Sequence, residues 1–241
     1  MWGSPMSGQS QPLDYSSSGV RDRAVIHFFN AVYAWMAVGL AVTASVAYAV
    51  STNIALMRHF LSTGAMFGIV LVELVLVVAI SGAVNRINAT VATALFVLFA
   101  AINGLMLSSI FLVYTLPSLA GTFIACAAMF GAMSLYGMFT KTDLTSLGKI
   151  LFMALIGLIV ASVVNIFVAS SALYWLVSYA GVAIFAGLTA YDTQKLQAIA
   201  VQTQGSPAMA ARLSVTGALM LYLDFINMFL LLLRIMGKQR N

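Results

Sequence analysis

Charge is what this sequence has least of. Eleven Lys and Arg and six Asp and Glu are spread over 241 residues, so 7% of the chain is charged, against about 25% in an ordinary soluble domain. That excludes a soluble fold, because too few ionised side chains exist to solvate its surface. The positive residues stand singly, and the net charge of +5 forms no basic cluster of the kind that marks a nucleic-acid partner. Cysteine is nearly absent: Cys126 alone cannot make an internal disulfide, and inside an apolar run it reads as a small core residue. The two histidines, His27 and His59, are isolated and no His-Glu-x-x-His run exists, which removes zinc hydrolysis. Lys141, Lys149, Lys195 and Lys238 all lie at or beyond the ends of apolar segments, which removes a retinal Schiff base in a last helix.

Apolar residues are what the chain does have, at 62% and a mean hydropathy of +1.03. Runs bounded by charge, Gly, Pro or Asn fall at about 27–50, 60–84, 90–114, 117–139, 149–169, 172–200 and 210–236. Each is near the roughly 20 residues that cross a bilayer as helix. The expectation is an all-α polytopic membrane protein with seven transmembrane helices. Residues 25–241 would form a single transmembrane domain, and the polar, Ser-rich residues 1–24 a disordered N-terminal tail.

Lys and Arg distribution sets the expected orientation. With the N-terminus cytoplasmic, Arg21, Arg23, Arg86, Lys141, Lys149, Lys195 and Arg212 lie inside and Arg58 outside. Seven full spans then leave Arg234, Lys238 and Arg240 outside, so the last segment either tolerates an external basic tail or does not cross. A faint repeat pairs Leu95, Phe96, Gly131 with Leu151, Phe152, Gly187, suggesting that segments three and four repeat as five and six and leave a lone, central seventh helix. Gly64 and Gly68 make a small-xxx-small pattern, read as packing within the chain.

Carboxyl groups deep in apolar runs carry the functional signal, because each costs several kcal/mol there. Three qualify: Glu73, Asp192 and Asp224. Glu73 sits near the middle of the second segment, Asp192 stands one turn before Lys195, and Asp224 has Asn227 at i+3. Segments six and seven are joined by a short Gly/Pro turn and run antiparallel, so Asp192 and Asp224 reach similar depths. Two carboxyls close together in low dielectric share a proton, which makes a proton sensor. Arg86, at the inner end of segment two, falls at a similar depth and is a candidate gating contact. Asn103, Ser108, Ser109 and Asn165 could add oxygen ligands, though hydrogen bonding between helices is the competing use.

The runs Gly187-Leu188-Thr189-Ala190-Tyr191-Asp192-Thr193-Gln194 and Leu221-Tyr222-Leu223-Asp224-Phe225-Ile226-Asn227, the latter followed by Leu232-Leu233-Arg234, resemble the Bax inhibitor (transmembrane Bax-inhibitor-motif) family in its bacterial inner-membrane branch. Met129 to Gly137 in segment four shares the resemblance, which covers about 24–240. It implies a seven-helix fold with the last helix surrounded by the others and a pH-sensitive calcium leak. Asp192 and Asp224 match that family's sensor pair, Glu73 its ion-path glutamate, and Arg86 the basic residue contacting the pair. Calcium would be a permeating ion held transiently by Asp192, Asp224 and Glu73, with no cofactor, and weak oxygen-ligand binding suits conduction. The expected surroundings are the lipid bilayer, with membrane proteins as possible partners.

Two other classes compete. A non-conducting interaction protein that modulates a membrane protease or stress response is compatible with every residue above. A di-aspartyl intramembrane protease would use the same aspartate pair, but Leu221-Tyr222-Leu223-Asp224 is not the Gly-x-Gly-Asp turn of presenilin-type enzymes, so an enzyme is not expected.

Overall fold

A backbone in lipid must satisfy its own hydrogen bonds. The computed structural model, which describes residues 15–60, 62–83 and 87–240, does so with helices: α1 (Tyr15–Ser51), α2 (Ile54–Phe60), α3 (Thr63–Ala83), α4 (Ala89–Leu107), α5 (Ile110–Val113), α6 (Leu116–Phe139), α7 (Thr145–Val168), α8 (Ser171–Gln202) and α9 (Pro207–Met236). Helix α1 starts at Tyr15, inside the tail expected over 1–24; extending a formed helix outward is cheaper than nucleating one. Residues 1–14 lie outside the described residues.

Among the described residues six helices are long and apolar enough to cross a membrane, and α2 with α3, bent by 69°, makes up to seven when the pair is counted as one broken span. The boundaries follow local chemistry. The Asn88 side chain accepts from Val91 N at 2.8 Å and caps α4, while Ser170 caps α8. The tight turn between α7 and α8 is closed by Ala169 in the left-handed region, at φ 51°, and by Asn165 Oδ1 accepting from Ser170 N at 2.9 Å.

The last helix is the core. In α9, 61% of the apolar window is buried, against 0% in α7. It packs on α1, α4, α6 and α8, while α3 leans on α4 and α7 leans on α8. Around Tyr222 the rings of Phe96 and Phe99 sit edge-on, and Phe123 and Phe130 do the same around Phe225. Cys126 is buried in this core, its thiol 3.6 Å from Phe225 O.

Two expectations are corrected. Helices α4 and α6 do not form the hairpin that α7 and α8 form; each packs on α9 instead. Their glycines differ accordingly: a Cβ at Gly187 would meet Leu151 of α7 at 2.7 Å, whereas one at Gly131 would meet nothing within 4 Å. Gly64 and Gly68 also face open space, because α3 turns Glu73, Leu76 and Ile80 toward α4 and those glycines lie on its other side.

The last segment forms a single unbroken helix long and apolar enough to cross a bilayer. Near its start Arg212 donates to Ile87 O at 3.4 Å, by the α3–α4 connection. Beyond its end the tail pairs with the α5–α6 connection: Thr115 N donates to Lys238 O at 3.2 Å and Arg240 N to Val113 O at 2.8 Å. These two connections lie at opposite ends of α4, and 30 residues make a helix of about 45 Å.

Candidate functional site

An α-helix turns about 100° per residue, so Tyr222 and Asp224 diverge on α9. Tyr222 is buried toward α1 and α4, where its hydroxyl lies 2.7 Å from Thr43 Oγ1 and Thr43 donates to Ala100 O at 2.8 Å. Asp224 points the other way, into a groove of about 1260 Å³ between α7, α8 and α9. The groove runs from Lys149 and Lys195 at one mouth to Asn165, Tyr174 and Arg234 at the other. Along α7 that is 16 residues, about 24 Å of rise, most of a hydrocarbon core about 30 Å thick.

The two aspartates come together in this groove, and Asp224 feels the charge of Asp192. Asp224 is only 5% exposed, and its Oδ2 has no hydrogen-bond partner. Asp192 is half-buried one turn from the exposed Lys195, whose charge it feels. Asn227 completes the polar centre; its amide nitrogen donates to Leu223 O at 2.8 Å, which leaves its carbonyl oxygen as the atom available to a cation. The remaining titratable groups on the lining are Lys149 from α7, Tyr174 and Tyr191 from α8, and Arg234 from α9.

Helix α7 is clamped where it begins. Gly148 lies against the Tyr191 ring, where a Cβ would come within 2.5 Å. Gln194 of α8 clamps the α6–α7 connection, accepting from Leu144 N and donating to Thr142 O, both at 2.8 Å. Asp143 Oδ1 accepts from Thr145 N at 2.9 Å, and hydrogen bonding to Thr145 holds its carboxyl below the usual range. Beyond Gly148, α7 has no buried residue.

Glu73 is not part of this site. Its Oε1 accepts from Asn103 Nδ2 at 3.1 Å, on the side of α9 where Tyr222 lies. The three carboxyls expected to share a transient calcium ion are therefore divided between two faces of α9. Among the described residues no group of three or more His, Cys, Asp or Glu is placed to hold a metal. Arg86, the expected gating contact, lies outside the described residues. Of the four oxygen donors suggested by sequence, Asn103 alone bonds across helices; Ser108 and Ser109 donate to carbonyls of their own segment, and Asn165 closes the α7 terminus.

Sequence reasoning missed a polar seam on the far side of α8. Tyr33 of α1 hydrogen bonds Ser134 of α6, Ser134 lies 3.0 Å from Thr193 Oγ1, and Thr193 donates to Thr189 O at 2.7 Å. Hydroxyls inside three apolar runs were the available signal. It missed also the collar at the Arg234 mouth, where the guanidinium lies 5.7 Å from the Tyr174 ring centroid. Burial pushes the neighbouring Tyr114 hydroxyl up, against the pull of Arg234.

Comparison with known proteins places the chain in a family. The family described as "Inhibitor of apoptosis-promoting Bax1" matches residues 25–241. The Escherichia coli inner membrane protein YbhL is 50% identical over 229 residues, 93% of this chain and 97% of that protein. A Borreliella burgdorferi protein is 46% identical over 215 residues, 89% of this chain and 93% of its own, and Lactococcus lactis YrjE is 40% identical over 213 residues, 87% and 90%. With six to seven membrane-length helices around a buried last helix and a family match over nearly its whole length, this integral membrane protein belongs to the Bax inhibitor family.

Proposed function

We propose that the chain is a pH-sensitive cation leak pathway, with calcium as a permeating ion and Asp192 and Asp224 as the proton-sensing pair. The observation that carries this reading is the buried Asp224 Oδ2, without a partner, facing a membrane-deep groove that Asp192 also lines. A buried carboxyl left unpartnered is costly, and a proton or a passing cation relieves that cost. Two carboxyls and the Asn227 oxygen fall short of the six to eight ligands calcium favours. Occupancy is therefore brief and completed by water, as conduction requires.

Protonation of the pair changes the charge of the groove at its polar centre, and α7, which buries only Gly148, is its least buried wall. Arg86 is the proposed gating contact to the pair. In this reading the N-terminus is cytoplasmic, no cofactor is used and no bond is made or broken, so the protein is not an enzyme. Glu73 anchors α3 to α4 through Asn103 and stands apart from the aspartate path.

Calcium entry into dye-loaded proteoliposomes between pH 5 and 8 tests this. The wild type should show a pH-dependent flux that Asp192→Asn and Asp224→Asn flatten. Absence of flux at every pH from correctly inserted protein would transfer the assignment to a non-conducting interaction protein.

A further inference from the structure

The two mouths of the groove differ in charge. At one, Lys149 and Lys195 are accompanied by Asp143 and Asp192, each of which feels one of those lysines. At the other, Arg234 lines the groove, and the segments at that end of the molecule, residues 114–118, 165–177 and 230–240, carry Arg234, Lys238 and Arg240 and no carboxyl group. The Arg234 and Arg240 side chains and the Lys238 backbone are held in place. Arg234 sits over the Tyr174 ring, and Gly237 lies so close to the Tyr114 ring that a Cβ there would come within 2.5 Å. The tail then pairs with the α5–α6 connection, with Lys238 N donating to Ser118 Oγ at 2.8 Å and the Arg240 guanidinium to Phe111 O at 3.3 Å. A strap that holds basic residues at one mouth of an apolar groove has a matching ligand in the bilayer itself.

We propose that this mouth binds an anionic phospholipid of the adjoining leaflet, with its phosphate at Arg234 and Lys238 and an acyl chain lying in the groove. From Arg234 down to Asp224 is ten residues of α9, about 15 Å, which equals one leaflet's half of a hydrocarbon core about 30 Å thick. The wall over that length is mostly apolar, with Leu158, Val163, Val177, Leu230 and Leu231 interrupted by Ser162, Asn165 and Asn227. A chain seated there ends where the aspartates begin, so the polar centre stays outside the lipid's reach. Guanidinium binds a phosphate with two parallel hydrogen bonds, while lysine acts as a point charge. The aromatic groups at the mouth, Tyr174 and the exposed Trp175 and Tyr179, belong at headgroup depth. This binding does not depend on cation conduction, and a chain seated in this half of the groove excludes a passing cation from it while bound.

The test is native mass spectrometry of the full chain released from vesicles of equimolar phosphatidylglycerol and phosphatidylcholine. Each cation near a membrane surface changes anionic-lipid binding about five-fold. The wild type should therefore retain phosphatidylglycerol at least five-fold over phosphatidylcholine. Arg234→Gln combined with Lys238→Gln and Arg240→Gln should bring the ratio to about one, while Lys149→Gln with Lys195→Gln keeps it. Arg234→Lys, which preserves charge and guards against loss of fold, should keep a preference between the two. Equal retention of both lipids by the wild type, or a preference that survives the combined change of Arg234, Lys238 and Arg240, overturns the proposal. So does displacement of the lipid by water-soluble glycerol phosphate at matched concentration, which would leave an anion site without the groove.

Discussion

Tyr222 and Asp224 stand two residues apart on α9 and serve opposite sides of it, the phenol bonded to Thr43 among α1 and α4 and the carboxyl lining the α7–α8 groove. Neutral, shape-conserving changes at the two should separate stability from gating. Tyr222→Phe removes one buried hydrogen bond and should lower unfolding stability in detergent by about 1 kcal/mol without changing the pH profile of flux. Asp224→Asn should flatten that profile.

Glu73 provides the complementary case. Because its Oε1 accepts from Asn103, Glu73→Gln keeps an acceptor and should leave thermal stability within about 0.5 kcal/mol of wild type and the pH profile intact. Glu73→Ala leaves Asn103 unpartnered and should cost about 1–2 kcal/mol. A large fall of calcium flux in Glu73→Gln would put this residue back on the ion path.

Asp143 should not contribute to any response between pH 5 and 8. Its folded-state carboxyl is held below the ordinary value by its bonds to Thr145. The stability it contributes is thus complete above the unfolded value near 4 and is lost only as pH falls through the lower folded value. Asp143→Asn should leave the pH 5–8 flux profile superimposable on wild type.

The clamp on α7 should be measurable by hydrogen exchange. Gln194→Leu removes the two bonds that hold Thr142 and Leu144, and amides at 142–146 should exchange several-fold faster. Those of the α9 core should be unchanged.

Gly137 should tolerate nothing larger. A Cβ there would strike the Ala190 backbone carbonyl of α8, and a backbone atom cannot rotate away. Gly137→Ala should destabilise by about 2 kcal/mol or more, read as a lowered unfolding temperature in detergent. Gly131→Ala, with nothing within 4 Å, should not.

Much of this architecture was legible in the residues. The all-helical membrane fold follows from composition, and the aspartate pair from two carboxyls in antiparallel runs joined by a short turn. Other features depended on rotation of helices about their axes, which apolar residues on every side conceal. The hydrophobic pattern could not say that Glu73 turns toward Asn103 while Asp224 turns toward α7, because in lipid both faces of a helix are apolar. The apparent repeat failed for a related reason. In a chain this rich in Leu, Phe and Gly, matching letters at a fixed shift do not require matching contacts, as Gly131 and Gly187 demonstrate. The tail's pairing with residues 113–115 is a long-range backbone contact and left no trace in side-chain pattern.

The position of α9 bears on how the molecule is made. Synthesis proceeds from the N-terminus, so the helix that four others pack against leaves the ribosome after all of them. Until it arrives, the inward faces of α1, α4, α6 and α8, with Thr43 and Cys126 among them, have lipid, water or a chaperone for company. The central place of α9 therefore requires those faces to close around the helix made last, and the pairing of residues 237–240 with the α5–α6 connection ties its far end to the rest.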